Sequence, residues 1–121
     1  MKTIVVLGSS DKPDRASNML MKRLIVRGGF VPVPVHPALD AIAGVPVRST
    51  LGEAPRHPDL LTVYLSAERS SALEEDIKNL EPHKVIFNPG AENLELEKRL
   101  AAAGIETENA CSLVLLAQGQ L

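Results

Sequence analysis

Three small residues, Gly8, Ser9 and Ser10, lie where an apolar run ends and a helical pattern is about to begin. A glycine lets the backbone approach a ligand closely, and the free amides of a helix N-terminus attract phosphate. Serine hydroxyls donate hydrogen bonds, and Arg15 would add a charge-assisted contact. The segment therefore predicts a phosphate-binding loop, although the same residues would also serve as a simple turn into a helix.

This loop differs from the known nucleotide-binding fingerprints. Only the first glycine of GxGxxG is present, and a P-loop would need Lys followed by Ser or Thr. A dinucleotide site also needs an acid at the end of the second strand to hold a ribose, where this chain has His36 and Pro37. The next acid, Asp40, comes too late in the segment. NAD is therefore disfavoured as the ligand.

The histidines and the single cysteine form no catalytic pattern. His36, His57 and His83 lack the spacing of metal ligands, and the last two lie beside proline in turns that we expect to be exposed. Cys111 has no activating base near it in the sequence, so we expect a small core residue rather than a nucleophile. The sequence predicts no catalytic residue, no metal site and no enzymatic activity.

Composition limits the kind of protein that positions these residues. A chain of 121 residues with 45% hydrophobic and 23% charged residues suits one globular domain over residues 1–121. Its 13 basic and 15 acidic residues give a net charge of −2, without the basic excess of nucleic-acid-binding proteins. One cysteine forms no intrachain disulfide, and no apolar run approaches the ~20 residues of a membrane span. We expect a soluble cytoplasmic protein that contacts neither nucleic acid nor membrane.

Apolar runs alternate with amphipathic stretches along the chain. The predicted strands are residues 4–7, 31–35, 61–65 and 85–87, with a weaker fifth that begins at Ile105. Helical spacing is found from Ala16 to the glycines at 28 and 29, at Leu73, Ile77 and Leu80, and from Leu96 to Gly104. The alternation predicts an α/β, Rossmann-like three-layer fold, with a mostly parallel sheet of about five strands and helices on both faces.

Two further segments carry structural information. Pro32 and Pro34 lack the amide that a strand donates to its neighbour, so the second strand is predicted at a sheet edge. Residues 37–58 form a long irregular connection with a short helix expected at 51–54, and residues 111–117 are expected to pack back onto the sheet as a short helix.

Ligands bind beyond the carboxyl ends of the strands in open parallel sheets. The residues directly after the four stronger runs are 8–10, 36–37, 66–69 and 88–92. These four segments are therefore the predicted site.

Four motifs together carry a resemblance to a known family. Residues 6–10 (VLGSS), 34–37 (PVHP), 43–47 (AGVPV) and 88–93 (NPGAEN) resemble the stand-alone CoA-binding domain family. The same Rossmann-like module opens the alpha subunit of succinyl-CoA synthetase and the ADP-forming acyl-CoA synthetases. The resemblance spans essentially the whole chain, and it implies CoA or an acyl-CoA as the ligand.

The resemblance also implies a role for each strand end. The loop at residues 8–10 would face the CoA pyrophosphate, His36 and Pro37 would border the adenosine, and residues 88–90 would lie toward the pantetheine arm. The implied cofactor-binding set is Gly8, Ser9, Ser10, Arg15, Asn18, His36, Pro37, Ser66, Arg69, Asn88, Pro89 and Gly90. The synthetases tend to carry a lysine after the second strand, where this chain has residues 38–41 (ALDA), so Arg48 is the candidate partner of the 3′-phosphate.

Three functional hypotheses follow from these residues. The leading one is a small cytoplasmic CoA or acyl-CoA binding protein without catalysis of its own. The alternative is a fragment of an NAD(P)-dependent or other nucleotide-dependent enzyme, which would need a partner chain. The third is a regulatory protein with a vestigial pocket, whose protein partner the sequence does not identify.

Overall fold

The computed structural model describes residues 1–121 and contains seven strands and five helices. The strands are β1 (Lys2–Leu7), β2 (Phe30–Val35), β3 (Ala41–Ile42), β4 (Val45–Pro46), β5 (Leu60–Val63), β6 (Lys84–Phe87) and β7 (Glu106–Asn109). The helices are α1 (Ala16–Arg27), α2 (Ala67–Ser71), α3 (Glu74–Leu80), α4 (Leu94–Ala102) and α5 (Ser112–Ala117), and a 3₁₀ turn spans Leu51–Glu53. None of the helices is long and apolar enough to cross a bilayer.

The main sheet has five strands in the order β2-β1-β5-β6-β7, and every pair in it is parallel. Its strand ends therefore lie at one common edge, since each crossover returns the chain to the same starting side. The predicted Rossmann-like α/β fold is confirmed.

Side chains alternate between two hydrophobic cores, one on each face of the sheet. Val5 and Leu7 of β1 pack in the core covered by α3, α4 and the 3₁₀ turn. Ile4 and Val6 pack in the core covered by α1 and α5. Because successive strand residues point to opposite faces, one apolar run serves both cores, which is why β1 reads as continuously hydrophobic.

Strand β2 lies at the sheet edge, as its prolines predict. The Pro34 carbonyl accepts from the Arg48 amide at 2.9 Å, and the His36 amide donates to the Arg48 carbonyl at 3.0 Å. These bonds face away from β1, so the missing amide of Pro34 also faces the open edge, where the main sheet needs no donor.

The connection over residues 37–58 is more ordered than its sequence predicts. β3 and β4 pair as a small antiparallel ribbon, and Ala43 and Gly44 at its turn have φ of 51° and 79°. Ile42 of this ribbon is buried in the α1 core. Two-residue strands are too short to show a period, so the expectation of irregular structure was wrong here. The short helix expected at 51–54 is confirmed as the 3₁₀ turn.

The later helices follow the predicted pattern with one addition. The spacing of Leu73, Ile77 and Leu80 corresponds to α3, and residues 111–117 contain α5. Helix α2 precedes α3 and was not predicted, because its sequence AERSS has no apolar period.

Candidate functional site

A cleft of about 1250 Å³ opens at the carboxyl ends of β1, β2 and β5. Its walls come from the loop after β1 with the start of α1, the segment after β2, the segment before the 3₁₀ turn, and the region from β5 to α3. The lining residues are 7–12, 15–17, 35–37, 39, 49–51, 64–66, 69, 72, 73 and 76.

Gly8 connects two walls of the cleft. Its φ is 82°, and a side-chain carbon at this position would lie 3.2 Å from the Leu65 amide nitrogen and 2.9 Å from the Leu65 Cδ2. Glycine is thus required by the crossing of the loops after β1 and β5, as well as by its positive φ. The close approach of a phosphate to Gly8 stays a prediction.

The two serines of the loop have different roles. Ser9 is 2% exposed, its hydroxyl donates to the Val6 carbonyl at 2.6 Å, and its amide donates to the Val35 carbonyl at 3.3 Å. The fold already uses that proton, so a hydrogen bond from the hydroxyl to a ligand is not supported, although Ser9 does line the cleft. Ser10 accepts from the Lys12 amide at 3.1 Å, which leaves its own hydroxyl proton free.

Asn18 supports the loop from behind and is not part of the cleft lining. The side chain is 3% exposed, and its Nδ2 donates to the Ser10 carbonyl at 3.0 Å. Its Oδ1 is buried without a hydrogen-bond partner, so the structure shows a positioning role for Nδ2 and the contact with the cofactor stays a prediction. Asn18 holds the loop against the first turn of α1.

The cleft has cations on two of its walls. Lys12 and Arg15 lie at the start of α1, and Arg69 lies on α2. None of the three takes part in an ion pair within the chain. The N-terminus of α1 has neither a side-chain cap nor an acid in its first turn, and its residues Ala16 and Ser17 also line the cleft. This end of the helix favours an anion.

The segment after β2 brings His36 and Pro37 to the cleft but directs Arg48 elsewhere. The His36 Nδ1 accepts from the Ala38 and Leu39 amides at 3.0 and 3.2 Å, so the neutral ring carries its proton on Nε2. Arg48 does not line the cleft, and its guanidinium donates to the Glu53 carbonyl at 2.7 Å. The structure therefore does not support a contact of Arg48 with the 3′-phosphate in place of the missing loop lysine.

On the β5 side, Ser66 and Arg69 line the cleft as expected from the sequence. The Ser66 Oγ accepts from the Arg69 amide at 3.4 Å and caps α2. Tyr64 also lines the cleft and was missed, since it was interpreted as part of the strand. Its hydroxyl is buried without a hydrogen-bond partner, and burial raises the pKa of the phenol.

Residues 88–90 lie outside the cleft lining. Asn88 is 2% exposed, and its Nδ2 donates to the Thr62 hydroxyl at 2.7 Å and to the Val63 carbonyl at 3.0 Å. Its Oδ1 accepts from the Ser112 amide at 2.9 Å. All the polar atoms of this side chain therefore have partners within the fold, and the structure does not support the predicted ligand contact. Pro89 and Gly90 are exposed at the same edge of the sheet.

Sequence reasoning also missed the loop residues Asp11 and Lys12 in the cleft, and with them Ser49, Thr50 and Asp76. Lys12 had a usable signal, since it follows the small-residue loop by two positions. The last three had none, because distant segments bring them to the cleft. No group of three or more His, Cys, Asp or Glu side chains is arranged to hold a metal ion.

Comparison with known proteins gives a family and a fold. The profile of the family described as CoA binding domain matches residues 2–117. YneT, an uncharacterized protein of Bacillus subtilis (strain 168), is 30% identical over 103 residues, which are 85% of this chain and 76% of YneT. A crystal structure of an uncharacterized protein is 30% identical, with a TM-score of 0.92 over 100% of this chain and 98% of the other. An acetyl-coenzyme A synthetase 1 of Ca. Korarchaeum cryptofilum, 18% identical, shares the fold, with a TM-score of 0.77 over 90% of this chain and 25% of the synthetase.

The buried hydrogen bonds of Asn88 predict a large effect on stability. Asn88→Ala should lower the free energy of unfolding by about 2–4 kcal/mol, because it leaves the Ser112 amide buried without a partner. Asn79→Ala, on the exposed side of α3, is the control and should change it by less than about 0.5 kcal/mol. Urea unfolding measures both variants. Equal stability of Asn88→Ala and the unmodified protein would show that this network does not support the fold.

Proposed function

The chain belongs to the CoA binding domain family, and on that premise we propose that its cleft binds CoA or an acyl-CoA. The observation that carries this proposal is the group of unpaired cations, Lys12, Arg15 and Arg69, in one cleft with the uncapped start of α1. CoA carries several phosphate charges, and a binding site for it needs donors that the fold does not already use. The cleft offers such donors on two walls.

We propose that the pyrophosphate binds at the start of α1. The Ala16 and Ser17 amides lie in the first turn, where the helix dipole favours negative charge. Lys12 and Arg15 add charge, and the Ser10 hydroxyl adds a neutral donor. Because the chain has a net charge of −2, long-range attraction does not favour an anionic ligand. The affinity must come from these local contacts.

The adenosine end of the ligand is proposed to lie between the segments after β2 and after β4. The two amide hydrogen bonds of His36 go to its Nδ1, so the proton on Nε2 is free to donate to a ligand. Pro37 lies next to it, and Ser49 and Thr50 line the same cleft with their hydroxyls. These neutral donors are the proposed partners of the 3′-phosphate in place of Arg48. Pro89 and Gly90 remain the proposed boundary of the pantetheine arm.

We further propose that the protein has no catalysis of its own and works in a reducing compartment, the cytoplasm. The supporting observation is that Ser66, His36 and Cys111 are not arranged as a nucleophile with its base. The Ser66 oxygen caps α2, the His36 Nδ1 is occupied by two amides, and Cys111 does not line the cleft. The single cysteine supports the compartment, because it forms no intrachain disulfide.

CoA should bind more tightly than NAD. β2 ends at His36 and Pro37 without a ribose-binding acid, and only the first fingerprint glycine is present. Calorimetric titration of the purified protein with CoA, ADP and NAD measures the order of affinity, and native mass spectrometry of the protein as isolated from cells shows whether CoA is retained. An affinity for NAD equal to or above that for CoA would favour the nucleotide-dependent enzyme fragment instead.

Arg15→Ala should weaken CoA and ADP in parallel, by about tenfold, because both ligands share the pyrophosphate and lose one charged hydrogen bond. Arg15 makes no side-chain cap, so the helix itself should persist. Arg23→Ala is the matched control, since Arg23 is exposed on the same helix outside the cleft. If both variants lost the same affinity, the effect of Arg15 would come from the net charge of the protein and not from a direct contact.

Purified protein incubated with acetyl-CoA should release no thiol above the buffer rate, because no nucleophile and base occur together in the cleft. A thiol-reactive dye measures the release. Turnover that disappears on substitution of His36, Ser66 or Cys111 by alanine would contradict the proposed lack of catalysis.

A further inference from the structure

Asp76 is a carboxylate that lines the cleft without a partner. The first turn of α3 carries three acids, Glu74, Glu75 and Asp76. Glu74 pairs with Lys78 at 2.8 Å and with Arg99 at 3.2 Å, and Glu75 lies 3.7 Å from Lys78. Asp76 has no ion pair and receives no hydrogen bond, and it is the only one of the three that faces the cleft.

Asp76 is exposed on a wall that carries Arg69 of α2 as well as apolar side chains. Leu73 lies three residues earlier, so it shares a helix side with Asp76, and it also lines the cleft. Leu51 of the 3₁₀ turn, which packs against α3, contributes a second apolar side chain and is 3% exposed. The wall thus combines two leucines with one free hydrogen-bond acceptor.

A carboxylate of this kind weakens the binding of an anionic ligand unless the ligand donates a hydrogen bond to the carboxylate. Phosphate groups beside Asp76 would be repelled, which agrees with the positions proposed for the pyrophosphate at Lys12 and Arg15 and for the 3′-phosphate at Ser49 and Thr50. A flat neutral ring that carries an N–H donor fits the leucine pair and the acceptor together. The nucleotide portion of CoA contains such a ring, because adenine has apolar faces and an exocyclic amino group.

We propose that Asp76 accepts a hydrogen bond from the exocyclic amino group of adenine and thereby determines which base the cleft prefers. This inference rests on the proposed function, since it places the base of the same nucleotide. It goes beyond that function by making Asp76 a specificity-determining residue of the cleft.

The sign of one substitution separates this role from simple repulsion. If Asp76 accepts the amino proton, Asp76→Ala should weaken ADP and CoA by about tenfold. If Asp76 only repels the phosphates, the same change should raise the affinity for both ligands. Asp76→Asn removes the charge but keeps a carbonyl acceptor, so it should retain most of the affinity in the first case and tighten binding in the second.

Titration with ADP and inosine 5′-diphosphate tests the amino group, because hypoxanthine has a carbonyl oxygen in its place. Purine riboside 5′-diphosphate, which has only a C–H there, checks that the N1–H of hypoxanthine does not substitute for the amino donor. The unmodified protein should prefer ADP by about tenfold, and Asp76→Ala should bind the two nucleotides about equally. Glu75→Ala, in the same turn but outside the cleft, is the matched control and should keep the preference. Circular dichroism of each variant checks the fold.

The outcomes distinguish the inference from the function beneath it. CoA binding that Asp76→Ala leaves unchanged or tightens, or an equal loss for ADP and inosine 5′-diphosphate, overturns the role of Asp76 alone. A second outcome is that Asp76→Ala abolishes the preference for ADP, but the unmodified protein binds NAD as tightly as CoA. This result overturns the CoA proposal and keeps the role of Asp76. An unmodified protein that binds neither CoA nor ADP overturns both.

Discussion

Parallel hydrogen bonding of β1 to β2 on one side and to β5 on the other is the interaction on which the other elements depend. Parallel neighbours need a crossover, and the crossovers here carry helices that cover both faces of the sheet. Strand β1 is therefore covered on both faces, and its residues Ile4 and Val5 are almost fully buried. The same pairing brings the ends of β1, β2 and β5 to one edge, where the cleft opens.

Several strand ends and the loops that follow them meet at that edge, and buried polar side chains hold them together. Asn88 connects β5, β6 and the start of α5, while Asn18 and Ser9 fix the loop after β1. Each of these side chains is at least nine-tenths buried. Buried polar groups are held by hydrogen bonds, so residues of this kind are used by the fold. With the loop fixed from behind, Lys12 and Arg15 keep their charges free for the cleft.

The distribution of charge explains how a chain with a net charge of −2 offers a site for an anion. Glu74 of α3 is neutralised locally by Lys78 and by Arg99 of α4. The hydrogen bond from Lys78 is the main reason that the pKa of Glu74 lies below its ordinary value. The start of α1 has no acid in its first turn, and Lys12 and Arg15 before it form no ion pair, although Asp11 also lines the cleft. An anion site therefore depends on local pairing more than on net charge.

The sequence by itself determined the order and type of the main elements, because burial on a strand or helix face leaves a period in neighbouring residues. It also determined the edge position of β2, since Pro32 and Pro34 cannot donate to a neighbour. Only the tertiary structure decided which polar residues at the strand ends reach the cleft. Asn88 resembles a ligand contact in sequence, yet it bonds to Thr62 and Ser112, which lie 26 and 24 positions away. The direction of a polar side chain is set by such distant partners, and a local pattern of residues contains no information about them.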